Sequence, residues 1–266
     1  MENKNIAFIS KNTSDFLRGI AILMVIASHY FEFAINEVNN KEVAEFIMQL
    51  GDWGVGIFFF LSGYALYLKY GIANTDRKYI VGRFKNTYLP YLIIATTISL
   101  ISHSIDSLKS VIRLLIGADY WFIEEILLIY IVFYLVGKLP GKCRVFIMSI
   151  FIIAMSLWFY IRGYQDFWYT ATWAFALGMI VSKYVRKIRF IHDDFSIDIN
   201  EPVISFLGKR SIYIYLLHSY IYILVINSQV MENVNWFLKM CISTLITLAI
   251  SYLLDLVCKL IFRRKQ

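Results

Sequence analysis

The chain has 266 residues and a formal net charge of +7; 59% of its residues are hydrophobic, 17% aromatic and only 17% charged, and its mean hydropathy is +0.62. This is too apolar for an ordinary soluble domain of such length, so the chain reads as an integral membrane protein. Cys143, Cys241 and Cys258 are odd in number and lack metal or redox spacing, which argues against a disulfide framework or a zinc site.

The first fourteen residues are polar, with no small-residue cleavage site ahead of a short apolar core, so the N-terminus is expected to be retained. Runs long enough to span a bilayer, roughly 17–25 residues each, follow at 15–35, 52–69, 88–105, 119–137, 143–161, 166–184, 209–227 and 236–261. They predict an all-α polytopic membrane bundle of about eight transmembrane helices, forming one domain over residues 1–266. The connection at about 184–208 is basic and then acidic (Asp193, Asp194, Asp198, Glu201) and reads as a cytoplasmic crossing.

Threading the eight segments alternately through the membrane leaves 21 of the 26 Lys and Arg residues on one side. Only Lys41, Lys109, Arg113, Arg162 and Lys239 fall on the other. Because cytoplasmic loops accumulate Lys and Arg, both termini are expected in the cytoplasm. The positive excess then faces anionic lipid of the inner leaflet, and no nucleic acid is needed to explain it.

The first segment, DFLRGIAILMVIASHY, sets Arg18 and His29 eleven residues apart. At about 100° per residue that is close to three whole turns, so both side chains leave one helix face, separated by roughly 16 Å along the axis. They cannot touch, and are expected to hold opposite ends of something long. Asp15 shares the face but lies too far below His29 to orient its ring. In the second segment Gly51, Gly54, Gly56 and Ser62-Gly63 admit close approach of another backbone or a ligand. The fourth opens on Trp121, Glu124 and Glu125; the seventh carries Ser211, Tyr215 and His218. Ionisable groups within spans usually face a bundle interior or wet cavity, so a polar cavity open to both sides is expected.

Together these residues resemble the membrane-bound acyltransferase-3 family over about 13–225. The resemblance rests on Arg-x10-His at 18–29, Gly-x-x-Gly-Val-x-x-Phe-Phe-x-x-Ser-Gly at 51–63, a basic stretch ending in Tyr-x-Pro-Tyr at 88–91, Trp121-Phe122, Phe-x-Leu-Gly at 175–178 and Ser211-x-x-x-Tyr215-x-x-His218. It implies transfer of acetyl or other acyl groups from cytoplasmic acyl-CoA, most simply acetyl-CoA as co-substrate with no permanently bound cofactor, to hydroxyls of a cell-surface or secreted glycan. Arg18 and His29 fall on positions regarded there as essential. The chain departs from the family pattern in three ways. Asn86 stands where a second Arg follows Arg83, leaving Lys85 to supply the charge; eight spans are counted where ten are usual; and no esterase-like extracytoplasmic domain follows. The protein is therefore expected either to acylate its acceptor itself or to hand the group to a separate extracytoplasmic partner, alone or as a homo-oligomer.

The chemistry agrees with the spacing. Acyl-CoA has a highly charged nucleotide end and a thioester at the tip of a long thin arm. Arg18, Arg83 and Lys85 are suited to the phosphates, and a neutral His29 to the proton of an attacking hydroxyl. Glu124, Glu125, Trp121, His218, Ser211 and Tyr215 are the candidate acceptor-binding residues, with helix packing, cavity lining or an interfacial position as the alternative for each. A secondary transporter would also have polar groups near the midplane, but inverted repeats with matching Gly or Pro breaks are missing from a chain with three Pro. A structural subunit of a glycan-export complex would not need Arg18 and His29 in phase.

Overall fold

The computed structural model describes residues 8–72, 75–140, 143–188 and 197–262. Lys4, Lys142, Arg189, His192, Asp193, Asp194, Arg263, Arg264 and Lys265 lie outside the described residues. Among those described the chain is all-helical, with one isolated bridge between Ile9 and Ile197 and no strand.

Two long helices form the centre, α1 (Lys11–Phe33) and α2 (Lys41–Tyr70). Ser10 caps α1 by accepting from the Thr13 N–H, and Asn40 caps α2 by accepting from the Val43 N–H. The polar cap at Asn40 starts α2 about three turns before the apolar run at 52–69, so the second predicted segment begins inside its helix. Next come α3 (Arg77–Arg83), a π turn (Phe84–Tyr88) and α4 (Leu89–Ile101), without a break. Pro90 has no N–H to offer the preceding turn, and the π turn absorbs the missing bond, Leu89 N–H reaching back to the Phe84 carbonyl.

A short helix, α5 (Leu108–Ile116), meets α6 (Trp121–Lys138) at a bend of 65°. Gly117, at φ +88°, supplies the left-handed turn that ends α5. The carbonyls of that end are bonded from the π turn and α4: Tyr88 donates to Leu115 O (2.8 Å) and Tyr91 to Leu114 O (2.5 Å). The remaining helices are α7 (Arg144–Ile161), α8 (Phe167–Thr170), α9 (Trp173–Ile188), α10 (Pro202–Gly208), α11 (Ser211–Ile226) and α12 (Trp236–Phe262). The predicted segment at 166–184 is thus broken near Ala171, and the connection at 184–208 carries the end of α9 and all of α10. Residues 197–199 of that connection dock on the start of α1. Thr13 donates to Ile197 O and accepts from Ile199 N–H, and Ser10 donates to Asp198.

Small residues let the central helices touch. A Cβ on Gly63 would strike the carbonyl of Phe175 on α9, and one on Gly178 the carbonyl of Phe60 on α2, so the α2–α9 contact depends on glycine from both sides. Gly19 and Gly208 join α1 to α10 in the same reciprocal way. Between α11 and α12 the contact includes a buried charge cluster. Asp255 bonds Arg210 (3.2 Å) and Lys259 (2.8 Å), while the Arg210 guanidinium lies 3.7 Å over the Phe206 ring.

Four helices among the described residues are long and apolar enough to cross a membrane: α1, α2, α7 and, over Trp236–Leu260, α12. The bent α5–α6 pair makes a fifth if it is a single broken span. The other predicted spans are also helical but shorter, at 13 residues for α4 and 16 each for α9 and α11.

Candidate active site

The α1 face carrying Arg18 and His29 has a different environment at each end. At the Arg18 end, Arg18 Nη1 lies 3.4 Å from Oδ1 of Asp15, whose carboxylate is buried and has no partner at Oδ2 among the described residues. Arg18 is a third exposed and within electrostatic range of Tyr130 and Arg83. The Arg83 guanidinium lies 5.2 Å over the Tyr130 ring, and Tyr79 fixes that turn of α6 by donating to Tyr130 O (2.8 Å). Arg83 thus lies over a tyrosine that is also within electrostatic range of Arg18. Lys85 and Asn86 are exposed on the π turn and line neither of the two cavities described below.

At the other end His29 and His218 meet edge to face, with ring centroids 5.0 Å apart and planes at 85°. His29 Nδ1 lies 3.0 Å from the Val25 carbonyl one turn back. A carbonyl only accepts, so Nδ1 carries the proton, and in the neutral ring Nε2 keeps its lone pair. His218 is more enclosed, 2% exposed. Its Nδ1 donates to Tyr215 O (2.6 Å), and its Nε2 accepts from Ser219 Oγ (3.1 Å). Among the described residues no such bond occupies Nε2 of His29.

Both rings line a cavity of about 500 Å³ with Trp121, Tyr120, Tyr215, Tyr91, Arg113 and Asp119. Trp121 is wedged against Phe167 (4.9 Å) and Trp168 (5.9 Å). A second cavity of about 580 Å³ runs along α6, with Arg83, Tyr79 and Tyr134 toward one end and Glu124, Leu115 and Ile116 toward the other.

The sequence candidates are therefore distributed as follows. His29, His218, Tyr215 and Trp121 share one cavity, and Glu124 shares the other with Arg83. Arg18, Lys85, Glu125 and Ser211 line neither. Glu125 is buried and accepts from Thr172 Oγ1 (2.7 Å), tying α6 to the α8–α9 break, with no partner at Oε1 among the described residues. Ser211 is buried at the first turn of α11.

Sequence reasoning did not single out Asp52, which lies within electrostatic range of His29 and Asp166. It also passed over the Arg113–Asp119 ion pair across the α5–α6 bend, in which Nη2 and Nε of Arg113 both donate to Oδ1 at 2.6 and 3.1 Å. An acidic residue inside an apolar run marks Asp52 in the sequence. Nothing local marks the pair, which depends on the bend.

Long apolar helices that bring His29 against His218 in one cavity define a helical membrane protein with an internal polar site. The acyltransferase-3 family model, described as an acyltransferase domain, matches residues 12–197, and the chain belongs to that family. It is a membrane acyltransferase. The match contains Arg18, His29, Arg83 and the α5–α6 bend and ends before α11, so Ser211, Tyr215 and His218 lie beyond it. No curated protein and no solved structure gives a match.

Proposed function

We propose that the protein is an O-acyltransferase, most simply an O-acetyltransferase, moving the acyl group of acyl-CoA onto a hydroxyl of a cell-surface or secreted glycan. Arg18 and Arg83 bind the donor phosphates, with Lys85 at the periphery, and His29 is the general base. The observation that carries the reading is the state of His29: Nδ1 is tied to Val25 O and Nε2 is left without a bond among the described residues, in a cavity on the face that Arg18 shares. The axial separation of roughly 16 Å suits a donor whose charged end and thioester are far apart.

In the reaction, Nε2 of His29 takes the hydroxyl proton as the acceptor oxygen attacks the thioester carbonyl. The carbon–sulfur bond then breaks, and the imidazolium returns the proton to the leaving sulfur, giving ester and free CoA thiol. His218, edge-on to His29, restricts the ring to that orientation.

The lysine and arginine distribution supports cytoplasmic entry of the donor, about eight spans in a cell membrane, and both termini inside. The test is release of free thiol from acetyl-CoA by the protein purified in lipid nanodiscs, with an envelope glycan as acceptor. Release that depends on both acceptor and His29 is expected; no release and no acetyl-CoA binding would reject the reading.

A further inference from the structure

The α5–α6 bend brings Arg113 and Asp119 into the cavity that His29 and His218 line. Neither residue is buried; their side chains are 49% and 52% exposed. Both donated bonds converge on Oδ1 of Asp119, so Oδ2 carries neither of them. A carboxylate oxygen that accepts, held beside a guanidinium that donates, complements two neighbouring hydroxyl groups, one giving its proton and the other receiving one. Trp121 is on the wall of the same cavity, and an aromatic face can cover the C–H surface of a sugar ring. The cavity volume, about 500 Å³, is in the range of small-molecule sites.

Charge narrows the acceptor further. Arg113 and Asp119 are the Asp, Glu, Lys or Arg residues lining this cavity, and their formal charges cancel. The neighbouring groups are acidic, with Asp52 within electrostatic range of His29 and Glu124 within that of Arg113. An anionic sugar would meet repulsion there, and Arg113 is already neutralised by Asp119.

We propose that Arg113 and Asp119 form the acceptor clasp, binding a neutral pyranose through vicinal hydroxyls and presenting another hydroxyl to His29. The clasp rests on the acyl transfer proposed above.

The experiment uses full-length protein in nanodiscs, acetyl-CoA labelled in the acetyl group, and two acceptor probes: neutral and uronate-containing oligosaccharides released from the envelope polysaccharide of the producing cell. The neutral fraction is expected to be the better acceptor. Arg113→Gln and Asp119→Asn should each raise the acceptor KM at least tenfold while acetyl-CoA affinity changes less than twofold. The exchanged pair, Arg113→Asp with Asp119→Arg, can restore an ion pair but reverses the pattern of donors and acceptors. It should recover thermal stability lost by either single charge reversal without recovering acceptor affinity.

Recovery of acceptor KM in the exchanged pair would make the ion pair structural and overturn the clasp. So would an unchanged KM in both single variants, preference for the uronate fraction, or acetyl-CoA binding without transfer to either fraction. Absence of acetyl-CoA binding as well as transfer would reject the acyltransfer reading itself, and the clasp with it.

Discussion

His29 and His218 meet edge to face with ring centroids 5.0 Å apart, and among the described residues only His218 has its Nε2 engaged, by Ser219. That asymmetry sets different expectations for the two rings, although both line one cavity. His29→Ala should lower kcat by roughly 10²–10⁴-fold, the usual worth of a general base, with acyl-CoA affinity little changed. His218→Ala should cost much less, because it removes only the contact that restrains His29. Turnover and donor binding measured on both variants, after each is shown to insert as the parent does, decide the assignment. An intact kcat in His29→Ala would transfer the role to His218.

Arg18 lies 3.4 Å from Asp15 and within electrostatic range of Tyr130 and Arg83. If it binds phosphates equally in ground and transition states, Arg18→Ala should raise KM for acyl-CoA by about tenfold or more with a smaller effect on kcat. Arg18→Lys should recover part of the loss, since a point charge replaces a planar fork. Initial rates across acyl-CoA concentrations report the split. A fall in kcat alone, with KM unchanged, would remove Arg18 from donor binding.

The π turn separates Arg83, over Tyr130, from Lys85, which is exposed beyond the cavity. Lys85 lines neither cavity, so its share in donor binding is expected to be smaller than that of Arg83. Arg83→Ala should weaken acyl-CoA binding more than Lys85→Ala, and Asn86→Arg should leave it equal or tighter. Equilibrium binding of acetyl-CoA to the three variants ranks them. Equal losses at 83 and 85 would extend the phosphate site over the outside of the turn.

Topology can be read from cysteine labelling. Asn39→Cys and Glu232→Cys are expected to react with an impermeant thiol reagent added outside intact cells, both native residues being exposed. Thr75, an obvious inside reporter from its loop position, is unsuitable because it is buried, with Lys138 donating to its carbonyl. Native Cys143 is exposed and serves instead. It should be protected until the cells are opened, and its labelling from outside would break the eight-span reading.

The α2–α9 contact leaves no room for a side chain at Gly63 or Gly178. Gly178→Val should destabilise the folded protein by about 1–3 kcal/mol, the usual range for overpacking. Gly56→Ala, on the same α2 helix but facing open space, should be close to neutral. Thermal unfolding in one detergent compares the two.

Periodicity and composition were enough to identify the membrane class, the helical segments and the phase of Arg18 with His29. Each depends on local spacing along one helix: eleven residues return a side chain to the same face whatever packs against it. Helix ends were less legible, because they are set by caps such as Asn40 and by breaks such as the one near Ala171. The members of the site, His218 and Arg83 among them, were named from the sequence, but which of them would meet was not legible. His218 comes to His29 from 189 positions away, and Arg83 to Arg18 from 65, through packing that reciprocal glycines and the Tyr88 and Tyr91 bonds to α5 make possible. Lys85 shows the converse. It matched a charge pattern in the sequence, but the π turn forced by Pro90 decides where that charge points, and a turn of that kind has no period to read.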